Sequence, residues 1–171
     1  LHKDLEAQIA TDGRYLTQIA AEVPDIEALD ARAVGPDLLA TVTGPKRVGF
    51  EADFVSVSQL QRLEKAAGED VTLVPISGVI EDIRLVKEPY ELERLREVAV
   101  IANTAFQELI DENLIRAGRT ETEVAADLEY KMRLHGAERT SFETIVASGP
   151  NSAMPHHEPG ARVLEEGDIV T

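Results

Sequence analysis

Two adjacent histidines, His156 and His157, lie in a loop rich in Gly, Pro, Asn and Ser, and they are the residues of this chain best suited to chemistry. Near neutral pH an imidazole can donate a hydrogen bond, take up a proton or bind a metal. Two β-type runs, Phe142–Ala147 and Ile169–Thr171, flank the loop and predict short strands that carry it. Loops held by such elements commonly place binding groups.

The two histidines do not have the spacing of a complete metal site. Zinc sites on regular structure use patterns such as His-Glu-x-x-His, and the third ligand that His157 would need is not evident. We therefore predict that His157 lies at the rim of the site. For His156 the residue pattern alone leaves two interpretations open, a functional contact or a loop histidine in solvent.

Two neighbouring carboxylates, Glu165 and Glu166, could be taken for an acid–base pair. Consecutive residues of a strand point to opposite faces, so these carboxylates would not converge. A solvated turn is predicted instead, in which Gly167 permits the backbone shape and Asp168 holds the turn. Gly149 is expected to serve a similar backbone role at the other end of the loop.

The remaining candidates receive structural interpretations. His135 precedes Gly136 and is predicted to lie at a helix C-terminus, where the helix dipole favours a positive charge. One group of charged residues is predicted to form a solvated helix start, in which each ion pair contributes little to stability. Its members are Arg84, Lys87, Glu88 and Glu91.

Composition excludes several classes of function. The formal net charge of −15 would repel the phosphates of nucleic acid, so no nucleic-acid partner is expected. The absence of cysteine excludes disulfides, Cys-containing zinc sites and thiol catalysis. No apolar run approaches the roughly 18 residues of a membrane span, and no signal-peptide pattern is present, so we expect no membrane partner and a cytoplasmic protein.

The first half of the chain alternates short helices and strands, which predicts an α/β layer. A turn is predicted at Asp12-Gly13, and the pattern before it predicts no element. The predicted helices are Tyr15–Val23, Ala31–Thr43 and a third that starts at Ser56 or Ser58 and runs through Ala67; the predicted strands are Ile26–Leu29, Lys46–Glu51 and Val71–Pro75.

The second half changes to long helices. Apolar residues recur at steps of three and four over Tyr90–Leu114, and a capping box at Thr120 and Glu123 opens another helix that ends at Gly136. We predict a first domain in residues 1–77, a junction in 78–89 and a second domain in 90–171.

The order of short motifs along the chain resembles the Xaa-Pro dipeptidase and aminopeptidase P family of "pita-bread", creatinase-like metallopeptidases. Each motif alone is weak, but their order and spacing from Thr11 to Asp168 together carry the resemblance. The motifs are Thr11–Tyr15, Val48–Glu51, Ile83–Lys87 with Glu91 and Leu95-Arg96, Gly118–Glu121 with Glu123–Ala125, Phe142–Gly149, Asn151, Pro155-His156 and Gly167-Asp168.

The resemblance implies an α/β N-terminal creatinase-like domain, incomplete because its first strands are lacking, followed by the first part of an α+β pita-bread catalytic domain. The family binds two divalent metal ions, commonly manganese, cobalt or zinc, through two aspartates, a histidine and two glutamates. No residue of this chain matches those ligands, which the resemblance places from just beyond Thr171. The 171 residues alone are therefore expected to bind no metal and to be inactive.

For the parent protein the resemblance implies hydrolysis of the bond before proline by a metal-bound hydroxide. The expected substrate is a peptide with proline in the second position, and the expected assembly is a homodimer. His156 is implied to contact the substrate or the developing oxyanion beside the metals without being a ligand, and Arg162 to help orient the loop. Two alternatives remain open: a non-catalytic binding or assembly domain, and a creatinase-like amidinohydrolase with a non-peptide substrate.

Overall fold

The computed structural model describes residues 7–171, and these fall into two compact units that divide between Val86 and Lys87. The division lies inside the segment 78–89 that the sequence predicts as a junction. The prediction for the first domain also covers residues 1–6, which lie outside the described range.

The described residues of the first unit form four strands and four helices that alternate along the chain. They are β1 (Gln8–Thr11), α1 (Leu16–Glu22), β2 (Glu27–Asp30), α2 (Val34–Ala40), β3 (Lys46–Glu51), α3 (Val57–Ala66), β4 (Val71–Ile76) and α4 (Val79–Leu85). β1 pairs with β2 and β3 pairs with β4, both in parallel. Parallel neighbours need a crossover connection, and α1 and α3 provide it. The predicted α/β organisation is therefore confirmed.

Local sequence accounts for several of these bounds. The Ser56 hydroxyl accepts a 3.3 Å hydrogen bond from the backbone N–H of Gln59, whose side chain accepts a 2.7 Å bond from the backbone N–H of Ser56. This capping box identifies Ser56, rather than Ser58, as the start of α3. In β3, half-buried residues alternate with exposed ones, as in a strand with one face on a core.

Two elements of the first unit, β1 and α4, are not indicated by the sequence pattern. The turn predicted at Asp12-Gly13 is present, and it connects β1 to α1. An Asp-Gly pair favours a tight turn, and the element that follows depends on the downstream residues. Here the apolar residues from Leu16 onward have helical spacing, and a helix forms.

The second unit is built on two helices, α5 (Pro89–Asp111) and α6 (Glu121–Leu134). Proline occupies the first helical position of α5, where its missing N–H costs nothing. The capping box predicted for Thr120 and Glu123 is confirmed at the start of α6. The core joins both helices to the C-terminal part of the chain through Leu109, Val124, Ala125, Val146 and Leu164.

The strands predicted at Phe142–Ala147 and Ile169–Thr171 are not formed. The contact between the two segments is short: Ser148 bridges Val170 in antiparallel fashion, Ala147 exchanges two 2.8 Å backbone hydrogen bonds with Thr171, and the N–H of Gly149 donates to the carbonyl of Ile169 at 2.9 Å. A strand requires a neighbour along its length, and in the described part of the chain residues 142–146 have none. A five-residue 3-10 helix, Gly149–Ala153, follows this contact.

Candidate functional site

A fully buried carboxylate, Glu121, forms the centre of the polar network in the second unit. It occupies the first position of α6, directly after the N-cap Thr120, and its exposed fraction is 0%. The positive end of the helix dipole favours a carboxylate at this position. A buried charge nevertheless requires full compensation by hydrogen bonds.

Glu121 obtains this compensation from five donors in the segment 148–160. Its Oε1 accepts from the backbone N–H of Ser148 at 2.8 Å, from the Ser148 hydroxyl at 2.8 Å and from Asn151 Nδ2 at 3.0 Å. Its Oε2 accepts from His157 Nε2 at 2.7 Å and from the backbone N–H of Gly160 at 3.1 Å. One side chain thus satisfies donors on both sides of His156 in the sequence.

The pKa of Glu121 reflects two opposing influences. Burial alone would raise this pKa because it penalises the charged form. The hydrogen bonds from His157, Asn151 and Ser148 favour the charged form more strongly, so the pKa of Glu121 lies far below its ordinary value of 4.5. Glu121 is therefore ionised at neutral pH, and His157 donates to it through Nε2–H.

A second polar group lies next to the first and shares Ser148 with it. Arg162 donates to the Ser148 hydroxyl at 2.6 Å, to Asp168 Oδ2 at 2.6 Å and to Asp168 Oδ1 at 3.2 Å. The hydrogen bonds from Arg162, together with the backbone N–H of Glu165, lower the pKa of Asp168. Arg162, for which the family resemblance implies a role in orienting the loop, thus connects Ser148 to Asp168.

The turn at Glu165–Asp168 agrees with its prediction. Glu165 and Glu166 are exposed and do not form an acid–base pair, and Asp168 Oδ2 accepts the backbone N–H of Glu165 at 2.9 Å. Gly149 and Gly167 both have positive φ, +50° and +88°. Gly149 also lies very close to the Arg162–Asp168 pair, so a side chain at this position would have to displace that ion pair.

The structure separates the two adjacent histidines. His156 is exposed, and its side chain makes no hydrogen bond to any other described residue. The prediction that His157 is a rim residue is wrong: its side chain is only 14% exposed and is bonded to Glu121. The two histidines lie at a turn, in which the backbone N–H of His157 donates a 3.2 Å hydrogen bond to the carbonyl of Met154, so His156 stays on the exposed turn while His157 lies against Glu121.

Of the two structural interpretations, the one for His135 is confirmed. His135 follows the last turn of α6, where its Nε2 lies 2.8 Å from Glu108 Oε1. The prediction of a solvated helix start holds for only part of its charged group: Glu88 and Glu91 form the capping box of α5, whereas Arg84 lies in the last turn of α4.

Sequence reasoning did not identify Glu121 as the centre of the site. The residue appears within a capping box, where a glutamate at the first helical position is ordinary, and glutamate is seldom fully buried. The donors that surround it lie 27 to 39 positions away along the chain. Two signals were available, the place of Glu121 in the motif Gly118–Glu121 and the density of small and polar residues from Ser148 to Gly160.

The described residues contain no cluster of side chains that could bind a metal. Within residues 7–171, no three His, Cys, Asp or Glu side chains converge in a way that could hold a metal ion. In Glu121 both oxygens are already committed to donors of the protein. Every helix in the same range is too short or too polar to span a membrane.

Comparison with known protein families matches the two units separately. The family described as "Creatinase/Prolidase N-terminal domain" matches residues 1–86, and "Metallopeptidase family M24" matches residues 93–171. These matches confirm the resemblance and the fold class that it implied, a creatinase-like α/β domain followed by the start of an M24 catalytic domain.

Individual relatives extend the match over nearly the whole chain. The "uncharacterized peptidase YqhT" of Bacillus subtilis is 34% identical over 172 residues, which cover 97% of this chain and 47% of that protein. The Xaa-Pro dipeptidase of Pyrococcus furiosus is 42% identical over 95 residues, 56% of this chain and 27% of that protein.

Solved structures give the same picture. The Xaa-Pro dipeptidase from Bacillus anthracis matches with a TM-score of 0.87 and 35% identity over 99% of this chain and 47% of that one. An X-Pro aminopeptidase from Thermotoga maritima matches with a TM-score of 0.81 and 36% identity over 94% of this chain and 44% of that one. The chain thus spans about half the length of these relatives. It belongs to the Xaa-Pro dipeptidase family of M24 metallopeptidases, of which it carries the creatinase/prolidase N-terminal domain and the start of the catalytic domain.

Proposed function

We propose that the whole protein to which this chain belongs is a peptidase that hydrolyses the peptide bond before proline in Xaa-Pro substrates. The observation that carries the proposal is the match of 99% of the chain to a solved Xaa-Pro dipeptidase with a TM-score of 0.87. Because the chain spans 47% of that structure, the activity is assigned to the whole protein and not to these residues alone.

Dipeptidase and aminopeptidase activities are distinguished by substrate length. The whole protein should be assayed with an Xaa-Pro dipeptide and with an Xaa-Pro-Yaa tripeptide, each against a control peptide in which alanine replaces proline. We expect cleavage of at least one proline substrate and much slower cleavage of its alanine analogue. Equal rates on the proline and alanine peptides would contradict the proposed specificity, and no cleavage of any peptide would reject the peptidase assignment.

Membership of a metallopeptidase family supports a requirement for divalent metal, for which we propose two ions of manganese, cobalt or zinc. The residues described here do not fit such ions, so no catalytic step is assigned through them. Activity of the whole protein should be lost with a chelator and restored by one or more of the three metals. Full activity after exhaustive chelation, with no metal in elemental analysis, would contradict this.

We further propose that His156 contacts the substrate or the oxyanion that develops during hydrolysis. Its imidazole is exposed and uncommitted to other described residues, and an imidazole N–H can donate to growing negative charge. His156→Ala should lower kcat about 100-fold while the bound metal remains unchanged. His135→Ala removes a histidine that is bonded to Glu108 and serves as the control. Loss of the metal together with activity would make His156 a ligand instead.

A homodimer in the cytoplasm is the proposed state of the whole protein. The homodimer can be checked by light scattering during size-exclusion chromatography, where a mass of one subunit across a wide concentration range would contradict it. Cell fractionation checks the location.

A further inference from the structure

We propose that Glu121 is a positioning residue that fixes the segment 148–160 and thereby the orientation of His156. This inference rests on the proposed function, in which His156 meets the substrate. It adds a role for a buried residue that makes no contact with the substrate in that proposal. Its direct link to the histidine pair is the 2.7 Å hydrogen bond between Glu121 Oε2 and His157 Nε2.

The first support is the distribution of the donors. Ser148 and Asn151 precede His156 in the sequence, whereas His157 and Gly160 follow it. All four bind one carboxylate whose own position is set by helix α6. The Glu121 carboxylate on α6 therefore holds the backbone on both sides of His156.

The second support is that the segment has little regular structure of its own. Apart from the short 3-10 helix Gly149–Ala153, residues 148–160 belong to no helix or strand. Their backbone N–H groups at Ser148 and Gly160 obtain their acceptor from Glu121. Removing this acceptor would leave buried donors unpaired, and an irregular segment relieves this by moving.

The third support is the chemistry of the acceptor. Each carboxylate oxygen of Glu121 accepts one backbone N–H, from Ser148 at Oε1 and from Gly160 at Oε2. In a Glu121→Gln variant, the amide –NH2 would have to face one of these two backbone donors in either orientation. The isosteric substitution therefore breaks the arrangement with almost no change in volume.

The test uses the whole protein and measures kcat and KM for the Xaa-Pro substrate. We expect Glu121→Gln to lower kcat at least about 10-fold with bound metal unchanged, as for groups that orient an active-site residue. Glu123→Gln is the matched control, because Glu123 is exposed on the same helix and glutamine can still accept the backbone N–H of Thr120 in the capping box. It should change kcat less than about twofold.

Two substitutions at His157 separate the hydrogen bond from packing. Glutamine can place an N–H near the position of Nε2, whereas leucine cannot donate. His157→Gln should therefore retain most of the activity, and His157→Leu should resemble Glu121→Gln. Equal loss in the two His157 variants would overturn the role of this hydrogen bond.

A double-mutant cycle tests whether Glu121 acts through His156. In a His156→Ala background, Glu121→Gln should cost less than about threefold, because the group that it positions is gone. A loss as large as in the wild-type background would identify a general structural effect and overturn the proposal.

Hydrogen exchange followed by mass spectrometry provides a readout that does not depend on activity. Peptides covering 148–160 should exchange faster in Glu121→Gln than in Glu123→Gln. Unchanged exchange would overturn the positioning role even if activity fell. Faster exchange in a protein without Xaa-Pro activity would leave the positioning of the segment supported and would reject the proposed function instead. If Glu121→Gln does not fold, the exchange of 148–160 is compared between His157→Leu and Glu123→Gln instead.

Discussion

Gly149 lies so close to Asp168 that a Cβ at this position would be 2.5 Å from Asp168 Oδ1. The same Cβ would be 2.6 Å from a terminal nitrogen of Arg162. The ion pair between Arg162 and Asp168 therefore packs directly on the backbone where the segment 148–160 begins.

Gly149→Ala should destabilise the protein by about 3 kcal/mol, because it adds this overlap to the cost of a non-glycine residue at positive φ. Gly167→Ala is the control, since Gly167 also has positive φ, +88°, but no atom lies within 4 Å of an added Cβ. It should cost about 1 kcal/mol. Urea denaturation followed by circular dichroism measures both, and equal losses would show that the contact with Asp168 has no energetic effect.

Stability should fall in acid because of Glu121 and Asp168. Both have a pKa in the folded protein below the ordinary values of 4.5 and 3.8. A lowered pKa contributes stability that is present above the ordinary value and is lost as the pH falls towards the folded value. Denaturation midpoints measured from pH 7 to pH 3 should therefore decrease mainly below about pH 4.5.

Glu121→Gln provides the internal check on this acid dependence. Glutamine resembles the protonated acid, so the stability difference between the variant and the wild type should shrink as the pH falls below 4.5. Glu166→Gln, in the exposed turn, should differ little from the wild type across the same range. A pH-independent difference for Glu121→Gln would assign its effect to packing.

Lys131 should contribute more to stability than an exposed lysine or arginine. It is 8% exposed and its Nζ lies 2.6 Å from Glu112 and 3.3 Å from Glu108, so it links α6 to the end of α5. Lys131→Met should destabilise by about 1 kcal/mol, because two carboxylates lose their cation. Arg94→Met removes the same charge from an exposed pair and should cost at most about 0.5 kcal/mol. The measurement is thermal unfolding of the two variants. Equal losses of stability would contradict this prediction.

The start of α3 offers a test of a single cap. Ser56→Ala removes the acceptor for the backbone N–H of Gln59 and should cost about 1 kcal/mol. Ser58 lies inside the helix, where its hydroxyl is hydrogen-bonded to the Ser56 hydroxyl at 3.2 Å. Ser58→Ala should therefore change the free energy of unfolding by a few tenths of a kcal/mol. A larger loss for Ser58 than for Ser56 would contradict the capping assignment.

The sequence alone predicted the elements that depend on interactions between neighbouring residues. The bounds of β3 agree with the alternation in Lys46–Glu51, and α6 begins where Thr120 and Glu123 form a capping box. The turn at Glu165–Asp168 was equally accessible. In each case the interacting groups lie within a few residues, so the sequence pattern contains both partners.

The network around Glu121 could not be read in the same way. Its donors lie 27 to 39 residues away, and nothing in the local pattern distinguishes a buried glutamate from an exposed one at a helix start. The same limit explains the error for Phe142–Ala147, since a β-type run becomes a strand only beside a partner that the fold supplies.

The sequence was sufficient for the family and for the α/β character of the first half. Folding then assigned opposite environments to two adjacent histidines, leaving His156 exposed and placing His157 against Glu121. Two neighbours of the same type have nearly the same local chemistry. Their difference arises from the burial and hydrogen-bond partners that distant parts of the chain provide.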